Sequence, residues 1–131
     1  MTSVSACKYE LSEPSVPKRG QLRLMSSLRL AGVAADRAIR QIAQAPTGGG
    51  PDVPGCPPEI AYGSDAIVLR VRSAAGQTEI MLRYSGCVGN GFDDGTGVRG
   101  LTAAAAAPFT AGPNALVMLS SPVYEVLTPH D

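Results

Sequence analysis

The sequence has few of the residues on which enzymes and metal sites depend. Among 131 residues there is one histidine, His130, next to the last residue, and there is no tryptophan. A Ser-His-Asp triad and a cysteine nucleophile each need a histidine as the base, and metal sites often use several. One terminal histidine argues against all of these, so we expect a protein that is not an enzyme and has no cofactor.

Aromatic residues and net charge are also scarce. There are two Phe and four Tyr, and eleven basic residues balance eleven acidic ones. The core must therefore consist mainly of Leu, Ile and Val, with Met filling gaps. Without a basic excess the chain has no nucleic-acid footprint, and no apolar run is long enough to span a bilayer. The length predicts a single domain over residues 1–131.

Two stretches rich in β-branched residues, 66–72 and 78–85, predict a β-hairpin. We predict a register that pairs residue 73 with residue 78. It forms one apolar face from three cross-strand pairs, Val71 with Ile80, Leu69 with Leu82 and Ile67 with Tyr84. The polar face then carries Arg70, Arg72 and Arg83 beside Glu79, with Arg99 expected close by.

Two of the three cysteines, Cys56 and Cys87, flank this hairpin where its ends converge. A disulfide between them would close roughly thirty residues and contribute about 3 to 4 kcal/mol in the chain-entropy model. The alternative is a pair of buried free thiols in a cytosolic protein. The framing of the hairpin favours the disulfide, and with it an extracytoplasmic location.

Cys7 has two interpretations. It ends the run Val-Ser-Ala-Cys, which fits the short pattern before a lipid-modified cysteine, but no apolar segment precedes that run. Alternating polarity over residues 4–9 favours the other interpretation, an ordinary edge strand. Residues 1–20 contain no signal peptide, so we expect that any export signal is not present in this chain.

The remaining pattern completes the predicted fold. Residues 21–30 predict a strand, 31–45 an amphipathic helix, 98–99 the start of a brief strand, 101–107 a short helix and 115–119 a last strand extending through 123–126. We therefore expect an α+β fold in two layers. One main helix would pack on an antiparallel sheet of about four to five strands that contains the disulfide-framed hairpin.

The glycine-rich stretch 89–97 offers three oxygen ligands, Asn90, Asp93 and Asp94. A calcium loop flanked by helices would need an oxygen ligand at Phe92 and a later bidentate glutamate, and neither is present. The dipeptides Asn90-Gly91 and Asp94-Gly95 are strong turn formers. The pattern therefore favours a plain turn or a partner-contacting loop over a metal site.

Two groups of residues are candidates for binding a partner protein. The first is the arginine row Arg70, Arg72 and Arg83, which suits an acidic partner. The second is the stiff segment after Cys56, with Pro57, Pro58, Glu59, Ile60 and Tyr62. A rigid segment loses little conformational entropy when a partner docks on it.

Two resemblances bear on these residues. The motif Cys56-Pro57 with Tyr62, two strands and Cys87 resembles the reactive-site half of the subtilisin-inhibitor-like family. That resemblance implies that Pro58 is presented to a serine protease. The runs 45–51 and 84–95 are similar to uncharacterised exported, secreted or lipoprotein-type, proteins of high-GC Gram-positive bacteria. That similarity implies export and no activity.

The sequence thus predicts a non-enzymatic, extracytoplasmic binding module whose partner is another protein. The alternative is a serine protease inhibitor that presents the segment after Cys56.

Overall fold

The computed structural model describes residues 2–10, 23–52, 65–86, 89–116, 119 and 121–128. These residues form six strands and three α-helices. In chain order they are β1 (Ser3–Glu10), β2 (Arg23–Ala31), α1 (Val33–Ala43), β3 (Asp65–Ser73), β4 (Gly76–Arg83), β5 (Gly91–Asp93), β6 (Val98–Arg99), α2 (Ala103–Ala106) and α3 (Ser121–Leu127). Two short 3₁₀ helices, Ala107–Phe109 and Gly112–Asn114, lie between α2 and α3.

The six strands form one antiparallel sheet in the order β2-β1-β3-β4-β5-β6. The strand predicted over residues 4–9 is present as β1, but it is not an edge strand. It lies between β2 and β3 and pairs with both. Alternation along a strand shows which side chains share a face but not which strands are its neighbours, so the sequence could not place it.

The predicted α+β class, with one main helix on about four to five strands, is wrong. The described residues are 39% strand and 29% helix, and they form a sheet of six strands. One strand that the pattern missed is β5, in the stretch interpreted as a turn. Gly91 has a φ of 134°, and a Cβ there would collide with the carbonyl oxygen of Arg99. The glycine is needed for the close approach of β5 to β6, so here it marks pairing rather than a loop.

The predicted fold also included a disulfide that frames the hairpin, and this part of the prediction is corrected as well. No disulfide pair is present in the part of the chain that the structure describes, where Cys7 is a free thiol. The expected partners, Cys56 and Cys87, lie outside the described residues.

The hairpin itself is confirmed, but its register differs from the prediction. Ser73 pairs with Gly76, so that Leu69 lies opposite Ile80 rather than Leu82. The connection is shorter than expected because Gly76, at a φ of 125°, already belongs to β4. A shift of two residues leaves each side chain on its predicted face.

The helices match the predictions unevenly. Helix α1 lies within the predicted range 31–45 and buries Ala35, Ala38 and Ile42 at helical spacing. Helix α3 replaces the strand expected over residues 123–126, and it buries Val123 against the core. In the described residues no helix has the length and apolar character needed to cross a membrane.

The hydrophobic core lies on one face of the sheet, under the helices. Strands β1, β3, β4 and β5 contribute Val4, Ala6, Ile67, Leu69, Leu82 and Phe92, and the helical segments contribute Ala35, Ala38, Ile42, Ala105, Ala106, Phe109 and Val123. Because successive strand residues point to opposite faces, the intervening residues occupy the other face of the sheet.

Candidate functional site

The sheet face opposite the core is rich in arginine, and we call it the arginine face. Its members are Arg29 on β2, Ser5, Cys7 and Tyr9 on β1, Val68, Arg70 and Arg72 on β3, Glu79, Met81 and Arg83 on β4, and Asp93 on β5. The strand register brings these side chains into cross-strand rows. One row runs from Arg29 through Ser5 and Arg70 to Glu79. The three arginines predicted for a polar face therefore share one surface.

Arg70 is the most heavily engaged side chain of the arginine face. Its Nε donates to Oε2 of Glu79 at 3.1 Å, and its Nη1 lies 3.7 Å from Sγ of Cys7. Its guanidinium carbon lies 5.9 Å from the centre of the Tyr9 ring, within cation–π range. Hydrogen bonding to Tyr9, followed by that to Glu79, raises the pKa of Arg70. This arginine stays charged and is held in place by its neighbours.

The other three arginines of this face have no carboxylate partner among the described residues. Arg72 donates from Nε to the amide oxygen of Gln77 at 3.2 Å, and Nε of Arg83 lies 3.2 Å from Sδ of Met81. Arg29 is exposed and makes no side-chain hydrogen bond that the structure records. The described ion pair is that of Arg70 with Glu79. Three guanidinium groups therefore have no ion pair with a carboxylate of the described residues.

A shallow cavity of about 330 Å³ lies at the β4–β5 end of the arginine face. Val68 and Met81 provide apolar surface, while Glu79, Arg83 and Asp93 provide charge. Apolar surface next to charged groups is a usual composition of a protein–protein contact.

The predicted oxygen ligands of the glycine-rich stretch stabilise turns. Asn90 is fully buried, and its Nδ2 donates to the carbonyl oxygens of Pro51 and Gly86, each at 2.9 Å. Its Oδ1 accepts from the backbone N–H of Gly86 at 3.0 Å. Oδ1 of Asp93 accepts from the N–H of Gly95 at 2.9 Å. These contacts account for both side chains without a ligand.

Asp94 closes the turn between β5 and β6. Its Oδ1 accepts from N and Oγ1 of Thr96, both at 2.8 Å, and from N of Gly97 at 2.9 Å. These bonds, led by the backbone N–H of Thr96, lower the pKa of Asp94. In the described ranges, no group of three or more His, Cys, Asp or Glu side chains is arranged to hold a metal ion.

Several predicted site residues cannot be assigned to a surface. Pro57, Pro58, Glu59, Ile60 and Tyr62 lie outside the described residues. The inhibitor interpretation, which depends on them, stays a prediction.

Arg99, by contrast, is described and is not part of the arginine face. It pairs with Phe92 on the core side, and its Nη1 donates to the carbonyl of Ala45 at 2.8 Å.

The sequence did not place the residues of β1 and β2, among them Tyr9 and Arg29, on this face. Arg29 alternates with Leu28 and Leu30, so its polar phase was visible in the strand pattern. Its position on the same surface as Arg70 follows only from the strand order, in which β2 pairs with β1 and β1 pairs with β3.

No family model, no curated protein and no solved structure matches the chain.

Proposed function

We propose that this protein is a non-enzymatic binding module and that its arginine face docks an acidic partner protein. The observation that carries the proposal is the group of three exposed arginines, Arg29, Arg72 and Arg83, that no described carboxylate neutralises. The chain as a whole has a formal net charge of zero, so the arginines on this face are not a consequence of a basic protein.

Guanidinium groups suit this role because each presents several N–H donors in a plane that matches a carboxylate. The strands hold the bases of these side chains at fixed spacing. Neighbouring strands lie about 4.8 Å apart, and alternate residues of one strand lie about 7 Å apart. A surface arranged in advance loses less entropy on binding than a flexible one. Arg70, tied to Glu79 and Tyr9, stiffens the centre of the arginine face.

We also propose an extracytoplasmic location. Its support is the similarity of runs 45–51 and 84–95 to exported proteins, and no geometry on the arginine face bears on it. Fractionation of the native cells followed by immunoblotting tests it, with a cytoplasmic enzyme as the marker of lysis. Recovery of the protein only with that marker would contradict the proposal.

The docking proposal is tested with a matched pair of charge reversals. The double variant Arg72→Glu/Arg83→Glu reverses two charges on the arginine face. The double variant Arg37→Glu/Arg40→Glu reverses two exposed charges on α1, on the other side of the sheet. Fluorescence anisotropy measures binding of a labelled poly-glutamate peptide, and a poly-glutamine peptide of the same length is the neutral control.

The wild type and the α1 variant should bind poly-glutamate, and the arginine-face variant should bind it at least about tenfold more weakly. Added salt should weaken the wild-type interaction, because exposed charges are screened. Equal loss in both variants would mean that binding follows net charge, and the arginine face would then have no special role. Failure of the wild type to bind poly-glutamate would also count against the proposal.

A further inference from the structure

A second cavity, of about 620 Å³, lies on the core side of the sheet. It opens between the C-terminal end of α1, the loop of residues 47–49 and the turn that joins β5 to β6. Its size falls within the range of about 300 to 1,000 Å³ that is usual for small-molecule sites. Ile42, Ile80 and Phe92 provide its apolar lining. Ile80 is half-buried while Leu82 on the same strand is fully buried, so the helices leave this part of the core face uncovered.

The loop wall of the cavity is fixed by backbone hydrogen bonds. The N–H of Gly48 donates to Val98, the N–H of Gly50 to Asn90 and the N–H of Gly100 to Pro46, each at 2.8 Å. Residues 46–50 are therefore held beside β6 and the start of β5, and Thr47 forms an isolated bridge with Arg99. A site with such a wall is formed before its ligand arrives, which reduces the entropy that binding costs.

Arg99 supplies a positive charge in the lining. It is half-buried, and its Nη1 is fixed by the carbonyl of Ala45. Its Nε and Nη2 have no hydrogen-bond partner, and no carboxylate pairs with it within the described ranges. These free N–H groups can donate to an anionic group of a ligand, in charge-assisted hydrogen bonds that are stronger than neutral ones.

Asp94 lies at the rim of the same cavity. The hydrogen bonds from Thr96 and Gly97 all go to Oδ1, and Oδ2 accepts none that the structure records. This negative charge disfavours a ligand with several anionic groups. The cavity can still take one carboxylate at Arg99, with an apolar body against Ile80 and against Val98, which also lines it.

We infer that this cavity binds a small organic monocarboxylate with a compact apolar body, anchored to Arg99. The inference goes beyond the proposed docking function and does not depend on it. An inorganic anion would leave the half-buried Ile80 and Val98 uncovered, and an uncharged apolar molecule would leave Arg99 without its counterion.

The test is a titration of the full chain with phenylacetate and, separately, with phenylacetamide, its uncharged analogue. Chemical shifts of the backbone amides are followed by NMR. Phenylacetate should shift the signals of Gly48, Gly49 and Gly97, which line the cavity. It should bind about tenfold more tightly than phenylacetamide, because a charge-assisted hydrogen bond is stronger than a neutral one.

Arg99→Gln should lower the affinity for phenylacetate to that for phenylacetamide and leave phenylacetamide binding unchanged. Unchanged phenylacetamide binding shows that the cavity has kept its shape. Arg40→Gln, which removes an exposed charge on α1, is the control and should bind both compounds as the wild type does. If Arg99→Gln disturbs the whole spectrum, Arg99→Lys takes its place and should keep the preference for the acid.

Equal affinity for the acid and the amide, or shifts confined to residues outside the cavity, would overturn the inference. The arginine-face variant Arg72→Glu/Arg83→Glu should bind phenylacetate normally, so a failure at one site can be distinguished from a failure at the other.

Discussion

Asn114 and Ala6 are joined by a hydrogen bond of 3.0 Å although 108 positions separate them in the chain. Nδ2 of Asn114 donates to the carbonyl of Ala6, and its Oδ1 accepts from Oγ of Ser26 at 2.6 Å. Asn114 is fully buried. One amide group thus connects the C-terminal part of the chain to both β1 and β2, in a position where water cannot replace its bonds.

Asn114→Ala should therefore lower the free energy of unfolding by about 3 kcal/mol, because the buried carbonyl of Ala6 and the half-buried hydroxyl of Ser26 lose their hydrogen bonds and a cavity remains. Urea denaturation followed by circular dichroism measures this loss. Ser26→Ala, which removes only the hydroxyl bond, is the matched control and should cost about 1 kcal/mol. Equal costs for the two variants would contradict the role of the bond to Ala6.

Gly91 gives a second stability prediction. Gly91→Ala introduces a Cβ that collides with the carbonyl oxygen of Arg99 at a φ of 134°, so we expect a loss of about 3 kcal/mol. Gly95 also has a positive φ, of 93°, but a Cβ there meets nothing within 4 Å. Gly95→Ala should cost only the backbone strain, about 1 to 2 kcal/mol. Thermal unfolding of both variants tests whether the collision, rather than φ alone, determines the cost.

The Arg70–Glu79 pair gives a prediction about the arginine face. Their side chains are 41% and 59% exposed, so solvent screens the attraction between them. A double-mutant cycle with Arg70→Ala and Glu79→Ala should give a coupling energy of about 0.5 kcal/mol. A coupling several times larger would mean that Cys7 and Tyr9 hold the pair in a less exposed environment than the structure shows.

The faces of the hairpin were predictable from the sequence, while its register was not. Alternation has a period of two, so it identifies which residues lie together even when the pairing shifts by two. The register depends on the turn, where Ser73 pairs with Gly76. β4 starts at a glycine with a positive φ. The residues of the loop only partly predict that backbone geometry.

The error at α3 has a different cause. Val123, Val126 and Leu127 recur at helical spacing, but β-branched residues in a short apolar run also suit a strand. Packing of Val123 into the core selects the helix. The arginine face also depends on contacts between distant parts of the chain. Its arginine row on β3 and β4 was predicted from the sequence, but its extension to Arg29 required the strand order.

Asp94 gives a prediction about pH. Hydrogen bonds from Thr96 and Gly97 lower its pKa in the folded chain, so the folded state favours the ionised carboxylate. The stabilisation that follows is present above the pKa of the unfolded chain, about 3.9, and is lost as the pH falls through the lower folded value. An NMR titration of the Asp94 carboxyl carbon should therefore give a midpoint below about 3.9.

Asp94→Asn keeps the acceptor oxygen and removes the titration, so its stability should fall less steeply than that of the wild type in acid. A midpoint at or above the unfolded value would show that the bonds from Thr96 and Gly97 do not hold the carboxylate in solution.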